Sequence, residues 1–174
     1  MRNRGMIDMN NFEAIVGAVY RNEYAVLDEL LNSDDVDSRD RDGYTPLMHA
    51  ILADPPYPQM IEYLVEHGAD VNAVEKGDRW TPLHFAARDQ SLEIVKILLG
   101  HGAAVDPADT SGNTPLRRCI ASTYPLNSAV VDLLLAHGAD PRRKNNNDAS
   151  SIDVARRRGN LELLERLEQG RPSK

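Results

Sequence analysis

Three histidines at nearly regular spacing are the first residues that could do chemistry together. His67, His101 and His137 each open the phrase HGA, at successive spacings of 34 and 36 residues. Histidine nitrogens are common zinc ligands, but a zinc ion holds its ligands at about 2 Å. The regular spacing places the three histidines at equivalent positions of stacked structural units. Neighbouring helices in such a stack are about 8 to 10 Å apart, too far for a shared ion. The three histidines are therefore interpreted as helix-end residues, and no metal site is predicted.

Other residues invite a chemical role and do not complete a site. The run SRDRDGYTPLMH has the acidic alternation and the glycine of a calcium loop, but Ser38 and His49 stand where that loop needs aspartate and glutamate. Cys119 is interpreted as a buried substitute for alanine, and His84 as a structural histidine that forms hydrogen bonds. No nucleophile has a histidine and an acid in register, and no glycine-rich phosphate loop is present. We expect no enzyme, no catalytic residue, no cofactor and no small-molecule substrate.

Composition is that of one ordinary globular domain. Of 174 residues, 41% are hydrophobic and 27% charged. No apolar run approaches the roughly 18 residues of a membrane helix, and the start MRNRGMIDMNN lacks the apolar core of a signal peptide. A single cysteine fits a reducing compartment. We expect a cytoplasmic, intracellular protein with no membrane partner.

Charge is unevenly distributed along the chain. Residues 1–87 carry 7 basic and 16 acidic side chains, net −9, and residues 88–174 carry 13 basic and 11 acidic, net +2. Two basic clusters raise the hypothesis of nucleic-acid binding. They are PRRK, with Arg142, Arg143 and Lys144, and ARRRGN, with Arg156, Arg157 and Arg158. They lack interleaved aromatic residues, and the acidic half repels phosphate. A solvated end cap or a site for an acidic protein patch is the favoured interpretation.

A repeated phrase organises these residues. TPL begins at Thr45, Thr81 and Thr114, at spacings of 36 and 33 residues, which indicates a solenoid. Each threonine can cap a helix whose first residue is the proline, and the glycine of each HGA can end a second helix in the left-handed conformation. The segments before HGA carry apolar residues at i, i+3 and i+4, as one helix face does. Weaker copies of this spacing at both ends predict helical caps.

The stretch WTPLHFAARDQSLEIVKILLGHGAAVD resembles an ankyrin repeat. The resemblance covers residues 11–169: a cap (11–39), three repeats (about 40–74, 75–108 and 109–144) and a second cap (145–169), between a flexible N-terminus (1–10) and a tail (170–174). It implies an all-α repeat solenoid of antiparallel helix pairs with projecting β-hairpin-like loops. It also implies that the chain binds proteins without chemistry of its own.

Departures from the pattern mark candidate contact regions. The links ILADPPYPQM and IASTYPLNSA are two and three residues longer than the link of the second repeat, and each places a tyrosine beside proline. Tyr57 and Tyr124 are either presented for contact or carried on tolerated surface insertions. The loop AVEKGDRWT has one residue more than the loop of the third repeat, with Arg79 where the family has glycine, so its hairpin is expected to deviate.

The family register also supplies candidate binding residues. In the family, the residue before TPL faces the binding groove. In the three repeats of this chain that residue is Tyr44, Trp80 and Asn113, respectively. We expect Trp80 to be exposed for binding rather than packed against the next helix pair. The full predicted set is Arg41, Asp42, Tyr44, Leu52, Ala53, Lys76, Asp78, Trp80, Arg88, Asp89, Thr110, Ser111, Asn113, Ala121 and Ser122, with Tyr57 and Tyr124 as a secondary group.

Charge and size suggest how such a module acts. The acidic half predicts a protein partner with a basic face, attracted in a way that salt weakens. A small solenoid, expected to be monomeric when free, can occlude its partner as a stoichiometric inhibitor, of which bacterial toxin immunity proteins are one example. A cytosolic adaptor or scaffold is the alternative. Nucleic-acid contact through the basic C-terminal cap is a more distant one.

Overall fold

The computed structural model describes residues 9–31, 35–123 and 125–169. Over these ranges the chain forms ten α-helices and no strand. The helices are α1 (Met9–Arg21), α2 (Tyr24–Leu30), α3 (Pro46–Leu52), α4 (Pro58–Glu66), α5 (Pro82–Arg88), α6 (Leu92–Gly100), α7 (Pro115–Ala121), α8 (Ser128–Ala136), α9 (Ser151–Arg157) and α10 (Leu161–Gln169). The predicted flexible ends, residues 1–10 and 170–174, lie outside the described ranges except for Met9 and Asn10.

The helices stack in two layers. The odd-numbered helices α1, α3, α5, α7 and α9 contact one another in sequence order, as do the even-numbered helices α4, α6, α8 and α10. Within each repeat the two helices also contact each other. One continuous apolar core runs between the layers from Ile15 in α1 to Leu167 in α10. The predicted all-α repeat solenoid is confirmed.

The capping residues act as the sequence predicts. The side chains of Thr45 and Thr114 accept hydrogen bonds from the amides of Met48 and Arg117, the third residues of their helices. Thr81 forms a reciprocal capping box in α5. The glycines of the three HGA phrases have φ values of +94°, +84° and +92°, so the predicted left-handed helix ends are present at Gly68, Gly102 and Gly138.

Each projecting loop is closed by its first residue. In the first loop the amide of Asp40 donates to the carbonyl of Tyr44, and Asp40 Oδ1 accepts from the amides of Asp42 and Tyr44. The third and fourth loops repeat this closure with Asp109 and Asn145 as first residues. A short acceptor side chain therefore ties together the start, middle and end of the loop.

The second loop holds one extra residue within the same closure. The amide of Glu75 donates to the carbonyl of Trp80, five positions on rather than four. The Glu75 carboxylate accepts from the amides of Gly77 and Trp80. Glutamate is one methylene longer than aspartate, and the longer side chain spans the longer loop. The expected deviation is thus limited to one added residue.

Arg79 takes the conformation that glycine supplies in the first and third loops. Its φ is +61°, and the equivalent Gly43 and Gly112 have φ values of +88° and +76°. This left-handed region disfavours side chains with a Cβ. Arg79 therefore adopts the turn at a conformational cost that glycine would not bear.

The links between paired helices differ in length as the sequence predicts. They comprise residues 53–57, 89–91 and 122–127 in the three repeats. The peptide bond between Asp54 and Pro55 is cis. Tyr57 in the first link is 38% exposed. Tyr124, its predicted counterpart in the third link, lies outside the described residues.

Candidate functional site

An open groove lies at the base of the first two hairpins, and we name it the hairpin groove. Its volume is about 560 Å³. Its lining combines aromatic residues with equal numbers of basic and acidic ones: Tyr44, Trp80 and Phe85; Arg41, Lys76 and Arg88; Asp42, Glu75 and Asp78. Most of these residues were predicted to bind a partner, so the structure brings that part of the set together.

Trp80 is buried, and the expectation that it is exposed is wrong. Only 8% of the residue is exposed. The indole stacks on His84 at 5.8 Å between ring centroids and packs on Phe85 at 5.0 Å. The guanidinium groups of Arg88 and Arg118 lie 5.3 and 4.6 Å from the indole centroid and cover the ring from two repeats. Trp80 still borders the hairpin groove, so its part in binding stays a prediction.

The two arginines beside Trp80 are held by carboxylates. Arg88 binds Asp89 through two nitrogens, at 2.5 and 2.8 Å. Arg118 forms a salt bridge with Asp109, whose side chain is fully buried. Burial opposes the ionisation of Asp109, but hydrogen bonds from Asn113 and Arg118 outweigh it and hold its pKa below the usual range. The groove wall is therefore preorganised and nearly neutral at this point.

A series of hydrogen bonds at the N-terminal edge of the groove was not predicted from the sequence. Tyr20 is 48% exposed, and its hydroxyl oxygen lies 3.0 Å from His49 Nδ1. On the other side of the ring, His49 Nε2 lies 3.1 Å from Asp40 Oδ2. A donating Tyr20 hydroxyl and a donating Nε2–H satisfy both contacts. Tyr20 thus extends the aromatic wall that Tyr44 begins. Its helix belongs to the cap, which has no TPL phrase to set a register.

The remaining predicted residues fall into three groups. The hairpin tips are exposed, and they carry Arg41, Asp42, Lys76, Asp78, Thr110 and Ser111. The ends of the inner helices are half-buried or exposed, and they carry Leu52, Ala53, Arg88, Asp89, Ala121 and Ser122. Asn113 is only 8% exposed and accepts from Arg117 Nε and Asn145 Nδ2, so it links neighbouring units, and its part in binding stays a prediction.

Many acidic side chains of the N-terminal half lie away from the groove. Asp28 and Glu29 in α2, and Glu62 and Glu66 in α4, are exposed on the outer helical layer. The hairpin groove itself is lined by three acidic and three basic residues. The excess of negative charge counted along the sequence is therefore not concentrated in the hairpin groove.

The basic clusters near the C-terminal end are mostly engaged within the chain. Arg158 donates to the carbonyl oxygens of Ile120, Ala121 and Ser122, at the end of α7. The last carbonyl oxygens of a helix lack intrahelical donors, and a cation stabilises the negative end of the helix dipole. The other engaged residues are Arg143, Lys144 and Arg156, which contact Asp106, Asp148 and Asp153 respectively, and Arg157, whose Nε donates to the Asp153 carbonyl.

The residues that could do chemistry have structural surroundings. His84 is fully buried between Thr81 and Asn113. In the described part of the chain no group of three histidine, cysteine or acidic side chains could hold a metal ion. None of the described helices has the length and apolarity needed to cross a bilayer.

Cys119 is expected to react slowly while the chain is folded. Cys119 is 1% exposed. Burial raises the pKa of its thiol to about 12, although the hydrogen bond with Gln90 acts to lower it. Because the thiolate is the reactive species, an aromatic disulfide reagent at neutral pH should label native protein far more slowly than urea-unfolded protein. Equal rates in the two states would contradict the burial of this residue.

Comparison with known proteins places these features in a family. A family model described as ankyrin repeats (3 copies) matches residues 3–75 and 57–145. The chain is 38% identical over 101 residues to an ankyrin repeat protein of fowlpox virus, 39% over 101 residues to human ankyrin repeat and SOCS box protein 6, and 32% over 142 residues to the mouse B-cell lymphoma 3 protein homolog. These segments cover 57%, 56% and 80% of this chain, and 29%, 24% and 30% of the relatives. The chain therefore spans less than a third of the length of each.

Proposed function

The chain belongs to the ankyrin-repeat family, and from that premise we propose that it binds one protein partner through its concave surface and catalyses no reaction. Ankyrin repeats generally mediate protein–protein interaction. The observation that carries the proposal is the hairpin groove, where aromatic side chains and both signs of charge meet in one open cavity. Aromatic residues and arginine dominate the contacts that hold protein complexes together.

The groove is suited to a preformed contact. Its aromatic wall is held by Arg88 and Arg118, which are themselves fixed by Asp89 and Asp109. Neighbouring hairpins are joined by backbone hydrogen bonds of 2.9, 2.8 and 3.0 Å, from Lys76 to Asp42, from Thr110 to Asp78 and from Asn146 to Ser111. A surface that is ordered before binding loses little entropy when a partner arrives.

The partner in this proposal carries a basic face. The N-terminal half has a net charge of −9, and its exposed outer helices extend an attractive field toward positive charge. Local contacts at the hairpin tips then pair Asp42 and Asp78 with basic side chains. Such steering raises the association rate and weakens with salt.

Occlusion is the mode of action that we favour. A rigid concave surface that covers its partner makes the chain a stoichiometric inhibitor, monomeric when free and cytoplasmic, as in bacterial toxin immunity proteins. An adaptor that leaves the partner active is the alternative. The two differ in whether the partner's activity falls in proportion to the amount of chain added.

A charge-matched pair of variants tests the groove. Protein captured from an extract of the source cells is identified, purified and titrated against the Asp42→Ala, Asp78→Ala double variant by calorimetry. Removing two charges that contact a basic face should weaken binding about tenfold. The control, Glu62→Ala with Glu66→Ala, removes the same charge from the outer face and should change the affinity less than about twofold.

The substitutions avoid Trp80 because removing a packed indole costs stability and would confuse loss of binding with loss of fold. An affinity unchanged by the hairpin variant and lowered by the outer-face variant would move the site to α4. An affinity unchanged by both would remove these acidic side chains from the interface.

A further inference from the structure

Two arginines of α7 and α9 carry positive charge that no described carboxylate neutralises by direct contact. Arg117 lies at the start of α7 in the third repeat, and Arg157 lies at the end of α9 in the adjacent C-terminal cap. Neither forms a salt bridge within 4.0 Å of a described carboxylate. This distinguishes them from Arg88 and Arg118, which are each paired with an aspartate.

Arg117 is also poorly solvated. Its Nε donates to Asn113 Oδ1 at 2.8 Å, but its Nη1 is buried without a hydrogen-bond acceptor. Burial, and then the charges of Arg157 and Arg118, lower the pKa of Arg117, although the charges of Asp153 and Asp109 oppose the shift. A positive charge that is partly withdrawn from water and close to other positive charges is stabilised when an anion approaches.

A recess lies beside Arg118, the residue that follows Arg117 in α7. It has a volume of about 220 Å³ and is lined by Trp80, Arg88, Arg118, Ala121, Ser122 and Thr123. Ala121 occupies in α7 the repeat position that Arg88 occupies in α5 and Arg157 in α9. The small side chain leaves room between two arginine-bearing repeats.

We propose that α7 and α9 bind an acidic segment of the protein partner, whose carboxylates pair with Arg117 and Arg157 while a neighbouring side chain enters the recess at Ala121. The inference rests on the proposed function and adds the direction in which the partner lies along the solenoid. A partner with a basic face at the first two hairpins presents an acidic segment to the C-terminal end of the solenoid. The complex then has only one favourable orientation along the solenoid.

Charge complementarity favours a short acidic protein segment over nucleic acid. Arg143, Lys144, Arg156 and Arg158 are engaged within the chain, so few cations remain for a row of phosphates. Nucleic-acid affinity depends on many such contacts made together. A peptide brings a few carboxylates to one place and extends less charge toward the acidic outer helices.

Fluorescence anisotropy provides the test. The probes are a labelled peptide in which glutamate alternates with serine and a labelled oligothymidylate of matched charge. The wild-type chain should bind the peptide, and Arg117→Gln with Arg157→Gln should weaken that binding at least about tenfold. The control, Lys96→Gln with Arg142→Gln, removes the same charge at exposed positions outside α7 and α9 and should change it less than about twofold.

Arg157→Gln alone guards against a folding effect at Arg117, because Arg157 Nε contacts only a carbonyl of its own helix at 3.3 Å. It should weaken binding in the same direction while the circular dichroism spectrum stays unchanged. The proposal is overturned if the peptide does not bind, if the control loses as much affinity, or if oligothymidylate binds more tightly and loses affinity in the same variants.

The captured partner separates this inference from the proposed function. If the Asp42, Asp78 variant loses the partner and the Arg117, Arg157 variant retains it with full affinity, the acidic segment is wrong and the groove stands. If both double variants retain the partner with full affinity, the hairpin groove and the arginine pair both lie outside the interface.

Discussion

Replacing Gly112 by alanine should lower the free energy of unfolding by about 3 kcal/mol. Gly112 has a φ of +76°, which disfavours a Cβ, and it lies against the next hairpin. An added Cβ would stand 2.6 Å from Asn146 Oδ1 and 2.9 Å from the Asn146 backbone nitrogen. The side chain can rotate, but the backbone nitrogen is held by its bond to Ser111, so the two hairpins must separate.

Gly102→Ala is the matched control for this prediction. Gly102 has a φ of +84°, but a Cβ there meets nothing within 4 Å. Its substitution bears the conformational penalty alone, about 1 kcal/mol. Urea unfolding followed by circular dichroism gives both values. Equal losses in the two variants would show that hairpin contact adds nothing and that the turn conformation accounts for the whole effect.

Replacing His84 by alanine should cost about 3 kcal/mol of stability as well. His84 is completely buried. Its Nδ1 accepts from the Thr81 amide at 3.1 Å, and its Nε2 donates to the Asn113 carbonyl at 3.1 Å. The imidazole therefore joins the start of α5 to the hairpin of the next repeat. Alanine leaves a cavity and removes the partners of both backbone groups.

The cost at His84 should depend on pH. Burial lowers the pKa of this imidazole, although the Asn113 carbonyl and the charges of Asp109 and Glu75 oppose the shift and Arg118 supports it. A protonated Nδ1 would also point a second donor at the Thr81 amide. The unfolded chain takes up a proton below about pH 6.5, where the folded chain resists it, so wild-type stability falls as the pH is lowered.

Unfolding at several pH values checks this dependence. The stability difference between wild type and His84→Ala should be largest above about pH 7 and should shrink toward about pH 5. The Asp109 pKa is already below its usual range, so that carboxylate stays ionised across this window. The exposed His101→Ala variant serves as a control and should follow the wild-type curve. A difference that stays constant or grows on acidification would contradict a neutral His84.

Repeat positions set by local chemistry were predictable from the sequence. The TPL phrase fixes where α3, α5 and α7 begin, because threonine capping and proline geometry are properties of the adjacent residues. The ends at Gly68, Gly102 and Gly138 follow for the same reason. These signals also placed the hairpin residues Arg41, Asp42, Lys76 and Asp78 on one surface.

The exposure of Trp80 was not predictable because it depends on residues of two repeats. Arg88 comes from the same unit, and Arg118 lies almost forty positions along the chain. The position of Trp80 in the repeat says which way its side chain leaves the backbone, but not which side chains then cover it. Asn113, in the equivalent position, is covered for a different reason, since it bonds to Arg117 and Asn145.

The distribution of charge was also hidden in the sequence count. Counting residues 1–87 together assigns their negative charge to one half of the solenoid. The fold then divides that half into inner and outer layers, and exposed residues such as Glu62 and Glu66 lie on the outer one. Net charge predicts long-range attraction, whereas the contact itself depends on which layer each charge occupies.

The closure of the second loop has an evolutionary consequence. Glu75 reaches the amides of Gly77 and Trp80 because the side chain and the loop are each longer by one unit than in the neighbouring repeats. An inserted residue alone would leave a short carboxylate out of reach of the last amide, and a longer carboxylate alone would crowd a short turn. Each change is disfavoured without the other, so the two form a compensating pair. A lineage that acquires both gains a longer hairpin, and with it a new shape to present, without disturbing the stack beneath.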